Sequence, residues 1–154
     1  MPSGVVHYHY YKRILVVVVP ASIGIMFINL YAGMGFLSGY FFHRWCDNDW
    51  DIMGASSSEG RMVNELPIVG HFLFGISSTY GSVFRKTHRK FVSHFPFFST
   101  LIRLMFLGVP IFFFLKSFDF DFMQEWFQLG LLFFWLGLSF ADSIHYLLDL
   151  LVGE

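Results

Sequence analysis

An all-α, polytopic transmembrane helical bundle of four or five hydrophobic segments is the fold class this sequence predicts, and three observations predict it. Hydrophobic residues fill 55% of the 154 positions and charged residues only 14%, against about a quarter charged in an ordinary soluble domain. Mean hydropathy is +0.57. The apolar residues also come in long blocks, more than a soluble core of this size could bury. The 22 phenylalanines suit a lipid-facing surface. No Pro/Gly/Ser-rich linker divides the chain, so residues 1–154 are expected to form a single integral membrane domain. The net charge of −1 argues against a dedicated nucleic-acid binder. A single cysteine, Cys46, allows no intrachain disulfide.

Four blocks carry the elements. A bilayer core is about 30 Å thick, which about 20 helical residues cross. Residues 14–42 contain no charge. As one straight helix they would extend about 43 Å, too far without strong tilt. A hairpin of two short helices solves this, with Asn29, Gly33 and Gly35 as turn or close-packing positions. The preceding Lys12 and Arg13 give the segment the look of a secretory signal. Retention is expected, because the apolar run continues to Phe42 without a clean small-residue cleavage site. Residues 66–84 are apolar but interrupted by His71 and three glycines. Residues 97–115 are broken only by Arg103, with Pro96 placed for the first helical turn. Residues 126–151 start strongly apolar and acquire Asp142, His145 and Asp149 near their end. The polar connection from Lys116 to Glu125 makes the last two blocks an antiparallel pair.

Charge orients the whole. Lys12, Arg13, Arg44, Arg61, Arg85, Lys86, Arg89 and Lys90 gather on one side, and only Lys116 lies in the opposite connection. The positive-inside rule makes the crowded face cytoplasmic. The basic run 85–90 is expected to face anionic membrane lipids.

Candidate ligands fall in four groups: His7, the alternating run Asp47, Asp49 and Asp51, then His88 and His94, then Asp142, His145 and Asp149. With a hairpin at 14–42, all four reach the cytoplasmic face. Positions 142, 145 and 149 follow the i, i+3, i+7 spacing of one narrow helical stripe, which Ser139 extends by a turn. Ionisable groups in a membrane helix usually face a bundle interior or polar cavity. Imidazole mixed with carboxylate favours Zn, Mn, Fe or Co over Ca or Mg. One or two ions fit the number of donors, and a pair of ions suits phosphoester hydrolysis. His9, His43 and His71 are better explained as interfacial or packing residues, and Cys46 as an inert thiol.

MPSGVVH at the start, DWD at 49–51, HRKFVSH at 88–94 and HYLLD at 145–149 occur in that order. The pattern MPSG-x-x-H, D-x-D, H-R-x3-S-H, H-x3-D resembles a family of small microbial membrane proteins of metal-binding type. That family is in turn similar to LexA-regulated inner-membrane metal-dependent hydrolases. The resemblance covers nearly the whole chain. It implies His7, Asp49, Asp51, His88, His94, His145 and Asp149 as metal residues, with Arg89 and Ser93 in contact with substrate or supporting the ligands. Asp142 joins that supporting group by its place on the stripe. The family's acidic residue after the first histidine is Tyr8 here. Lipid phosphatases with SR-x5-H-x3-D are a poorer match, because Ser139 stands at the arginine position. The leading expectation is a metal-dependent hydrolase acting on a phosphorylated or lipid substrate. The second is a non-catalytic membrane subunit in which the ion staples the segments together.

Overall fold

Asn29 divides the first apolar block. In the computed structural model, which describes residues 4–46, 57–84 and 95–152 (by backbone alone at 4–8, 57–60 and 152), the chain forms α1 (Gly4–Ile28) and α2 (Leu30–Phe42) on either side of it. The remaining helices are α3 (Ser57–Glu65), α4 (Val69–Phe84), α5 (Phe98–Lys116) and α6 (Glu125–Val152). No strand occurs among the described residues. Three stretches are long and apolar enough to cross a membrane: His9–Ile28, Phe98–Lys116 and Glu125–Leu151. This is compatible with an integral membrane protein. Helices α2 and α4, with 13 and 16 residues, extend only about 20 and 24 Å at ~1.5 Å per residue.

The chain divides into two compact units, Met1–Phe42 with Asp121–Glu154, and His43–Phe120. The first is built on α1, α2 and α6. Antiparallel pairing of α1 and α2 follows from Tyr11 and Tyr40, whose rings stack 4.4 Å apart at an interplanar angle of 8°. Each tyrosine hydroxyl donates to the other's backbone carbonyl, Tyr40 to Tyr11 at 2.8 Å. One continuous helix would hold these residues about 43 Å apart. At the turn, the Asn29 side chain accepts the Ala32 N–H at 3.0 Å, capping α2.

Helix α2 packs parallel to α6. Tyr31 meets Trp126, Gly35 meets the Gly130 carbonyl, and Gly39 meets the Phe134 carbonyl. Gly137 returns the contact, against Phe36. A Cβ at Gly35, Gly39 or Gly137 would overlap backbone atoms of the facing helix. Within lipid no hydrophobic force drives helices together, so small residues that let backbones approach supply the packing. Gly33 is likewise closed off, by Met26 and the Ser22 carbonyl of α1. Asn29 therefore makes the turn, while Gly33 and Gly35 serve packing. Val18, Tyr40 and Ala141 form the buried centre, with Ile14, Leu15, Phe36, Leu37 and Ile144 around it.

In the second unit α3 and α4 form a helical hairpin, and Gly70 leaves room for the Met62 carbonyl. Tyr80 and Phe84 of α4 pack edge-on against Phe106 of α5, at ring separations of 5.4 and 5.8 Å. Pro96 lies in the turn before α5 rather than in its first helical turn, because Phe97 adopts φ 69° and the helix starts at Phe98. Helix α5 ends at Lys116 with Ser117 as its cap, and in the turn beyond it Asp119 takes φ 55°, a left-handed conformation that Asp tolerates better than most side chains.

Candidate functional site

The last four turns of α6 carry the polar stripe. Ser139 and Asp142 are fully buried, His145 is 6% exposed, and the Asp149 side chain is 25% exposed. Their shared face follows from the helical period, which places 142, 145 and 149 above one another. A different face of α6, carrying Ala141 and Ile144, packs against Val18 and Tyr40. The Ser139 hydroxyl is buried and finds no hydrogen-bond partner among the described residues, whereas Ser143 donates to the Ser139 carbonyl at 2.8 Å.

His145 Nε2 and Asp149 Oδ2 lie 3.4 Å apart. Good N–H···O bonds are about 2.7–3.2 Å long, so this pair is loose as a hydrogen bond. It matches the edge of a tetrahedron with arms of about 2.1 Å, which is about 3.4 Å. Asp149 also sits in the final turn of α6, where the helix dipole opposes an anion and favours a cation. Among the described residues, no three His, Cys, Asp or Glu side chains come close enough together to form a metal cluster.

His7 occupies the first turn of α1. Tyr11, one turn later, contacts Tyr40, and Tyr40 and Ala141 belong to one buried cluster. His7 therefore lies at the same end of the first unit as His145 and Asp149. Asp49, Asp51, His88, Arg89, Ser93 and His94 lie outside the described residues, as do Asp47 and the basic run 85–90.

Two residues to which the sequence pattern assigns no site role flank those segments. Arg103 of α5 is fully buried, and its Nη1 donates to the Cys46 carbonyl at 2.5 Å. Cys46 is itself fully buried, with its Sγ 3.9 Å from the same nitrogen. The stretch just before the acidic run thus meets the start of α5. The signal available in the sequence was the lone charge in an apolar span, which by itself suggests function. Its partner, 57 positions away, has no local signature.

The turn His43–Cys46 is held from other directions too. Arg61 Nε donates to the Arg44 carbonyl at 3.0 Å. Arg44 forms a two-point pair with Glu65, its Nε at 2.8 Å from Oε2 and its Nη2 on Oε1. Trp45 Nε1 donates to the same carboxylate at 3.0 Å. The Arg44 hydrogen bond, aided by Trp45 and the Arg44 and Arg61 charges, lowers the Glu65 carboxyl to about 2 against the opposing effect of partial burial. His71 uses its Nδ1 on the Pro67 carbonyl, and exposed His9 packs edge-on to Tyr10. Both fit interfacial or packing roles, and His43 is buried.

Comparison with protein-family models, with curated proteins and with solved structures yields no match for this chain.

Proposed function

We propose that the protein is a membrane-embedded, metal-dependent hydrolase whose His/Asp site opens to the cytoplasm and acts on a phosphorylated or lipid substrate. The observation that carries this is the His145–Asp149 pair: two donors at 3.4 Å, at the end of a long apolar helix, beside buried Asp142. Keeping an aspartate within a membrane helix costs about 2.5–3.5 kcal/mol at the helix centre, a burden retained where function requires it. A divalent ion of the Zn, Mn, Fe or Co class, one or two per chain, fits this imidazole–carboxylate donor set. When bound, such an ion lowers the pKa of a water molecule toward ~7 and polarises the scissile group.

The chain's own residues divide the remaining work. His145 and Asp149 hold the ion from α6, and His7 joins them from the same end of α1. The family-like sequence pattern implies Asp49, Asp51, His88 and His94 as further metal residues. Asp142, fully buried, fixes the stripe that orients His145. Arg89 and Ser93 bind the substrate's anionic group and place it against the ion.

Topology supports four crossings of the bilayer. α1 leaves the cytoplasmic face and α2 returns to it. Because α6 runs parallel to α2, residues 42 and 125 lie at opposite ends of the first unit. The chain between them must then pass across an odd number of times. Of its helices α5 reaches spanning length among the described residues, and one crossing by α5 meets that requirement.

One feature favours a second function, a non-catalytic subunit stapled by its ion. His145 is only 6% exposed, and closed sites are the mark of structural zinc. Metal content of detergent-purified protein, with Asp149→Asn alongside, separates the two. The substitution keeps size and most hydrogen bonding but removes the charge. A catalytic site loses metal or hydrolysis while the protein stays folded. A staple also loses thermal stability, because its binding free energy is folding free energy. Metal content, stability and activity all unchanged in Asp149→Asn would remove the pair from both functions.

A further inference from the structure

Glycines of the described helices have two kinds of surroundings. A Cβ at Gly33, Gly35, Gly39, Gly70 or Gly137 would run into atoms of a neighbouring helix, whereas one at Gly108 of α5 meets nothing within 4 Å. Gly24 and Gly75 share that openness, and Gly108 differs from them in what stands beside it. Met105, Val109, Phe112 and Phe113, all exposed, border Gly108 and line a groove of about 220 Å³ along the outer side of α5. Every lining side chain is apolar.

Phe112 has a second role. The Lys116 ammonium stands 5.7 Å from the centroid of its ring, within reach of a cation–π attraction. Lys116, exposed and in the last turn of α5, therefore marks the outer end of the groove. Met105 marks the inner end, ~16 Å away along the axis at ~1.5 Å per residue. One leaflet supplies half of a ~30 Å hydrocarbon core, or ~15 Å. The groove and its lysine thus have the length of one leaflet's lipid, with the chain along α5 and the head at Lys116.

Two charges say what kind of head. A lipid phosphate complements the Lys116 ammonium. Asp119, exposed, lies just beyond, its backbone N–H donating to the Lys116 carbonyl at 3.1 Å. An anionic headgroup would meet that carboxylate unfavourably, while a zwitterionic one brings an ammonium to it. A second copy of α5 is a poorer occupant. Copies inserted in the same sense carry Lys116 at the same depth, so a symmetric contact over this groove sets two ammonium groups side by side.

We propose that α5 binds one zwitterionic phospholipid of the phosphatidylethanolamine type, an acyl chain lying over Gly108, the phosphate on Lys116 and the ammonium toward Asp119. Lipid tails have no hydrophobic preference for protein over other tails, so close fit in the groove and the headgroup contacts supply the selection. The site is independent of the metal function.

Native mass spectrometry of the full-length protein in detergent tests it, with palmitoyl-oleoyl phosphatidylethanolamine or the phosphatidylglycerol of the same chains added. One phosphatidylethanolamine should be retained per chain, at concentrations where phosphatidylglycerol binds less. Gly108→Leu fills the groove and should weaken retention about tenfold. Gly75→Leu adds the same bulk at an open position of α4 and should leave it unchanged. Lys116→Gln should weaken retention about fivefold, the contribution of one lysine near a lipid phosphate, and Lys116→Arg should keep it. Asp119→Asn should abolish the preference for phosphatidylethanolamine.

Wild-type retention in Gly108→Leu, equal losses in Gly108→Leu and Gly75→Leu, or phosphatidylglycerol held as well as phosphatidylethanolamine by the wild type overturns the proposal. Should Gly108→Leu fail to fold, Lys116→Gln decides: weaker retention supports the site, and unchanged retention overturns it. A wild-type dimer that Gly108→Leu breaks, with the lipid count unaltered, gives the groove to a second copy and overturns the lipid site.

Discussion

Both units contain glycine-on-carbonyl packing, but arginine grips on the backbone are described only in the second. In the first, α2 and α6 meet through glycines laid on backbone carbonyls, and a pair of tyrosines closes α1 onto α2. In the second, the stretch beyond α2 is held by arginines on carbonyls and on Glu65. The contrast follows the solvent each part is suited to. Where lipid surrounds a helix, apolar burial gives no preference for protein over membrane, so close fit and internal hydrogen bonds decide. Where water is near, charge-assisted bonds are affordable, and they are sensitive to pH and salt. Shape should therefore govern the first unit and ionisation the second.

The most severe way to test this contrast is to fill the α2–α6 contact. Gly39→Leu places side-chain atoms where the Phe134 carbonyl lies. A backbone atom cannot step aside as a flexible side chain can, so the loss should be about 3 kcal/mol or more. Thermal unfolding in detergent measures it. Gly24→Ala is the control, since nothing lies within 4 Å of a Cβ there, and it should be neutral or slightly stabilising. Equal damage from both substitutions would mean that helix propensity, and not shape, controls this unit.

A smaller effect is expected at the tyrosine clasp. Tyr40→Phe keeps the stacked ring but deletes the 2.8 Å bond to the Tyr11 carbonyl. The loss should be about 1 kcal/mol, somewhat above the usual average if lipid leaves the carbonyl no substitute donor. Denaturant-induced unfolding of the variant, with wild type beside it, gives the difference.

The smallest effect, and the one with opposite character, belongs to Glu65. Its carboxyl falls from an ordinary 4.5 to about 2 in the folded protein. A carboxyl depressed on folding stabilises the protein above its unfolded value and loses that contribution as pH falls through its folded value. The second unit should thus weaken between pH 4.5 and about 2, and Glu65→Gln should flatten that part of the profile. The half-exposed pair limits the size to less than about 1 kcal/mol. Added salt should diminish the Glu65 effect and leave the Gly39 and Tyr40 effects unaltered. A salt-independent Glu65 contribution would blur the distinction between the units.

How far the sequence revealed this arrangement depended on whether the signal was local. The reversal inside residues 14–42 was legible because a charge-free stretch that long does not fit one bilayer crossing. Its agent was only partly legible. Asn, Gly and Gly all suit turns; the carbonyl that assigns Gly35 to packing belongs to distant Gly130, and the one facing Gly33 belongs to Ser22, which only the turn itself brings near. The stripe from Ser139 to Asp149 was legible because helical spacing alone aligns it. Pro96 falls two residues before α5 and not in its first turn, since its helix-starting tendency is overridden by the backbone of Phe97. Arg103 was visible as an exception in α5, but its grip on Cys46 could not be, because the partner is a backbone atom common to every residue.

The Asn29 turn has a consequence for how the chain enters a membrane. Its backbone groups are already engaged: Asn29 N–H with the Ile25 carbonyl at 2.8 Å, Gly33 N–H with the Asn29 carbonyl at 3.1 Å, and Ala32 N–H with the Asn29 side chain. The tip carries no charge and leads with Phe27, Ile28 and Leu30, all largely exposed. Such a tip can be pushed into hydrocarbon during synthesis without dragging a polar loop to the far side. Helices α1 and α2 can then insert as a preassembled wedge, its two ends left at the entry surface, and the glycine face of α2 is in place before α6 emerges to meet it.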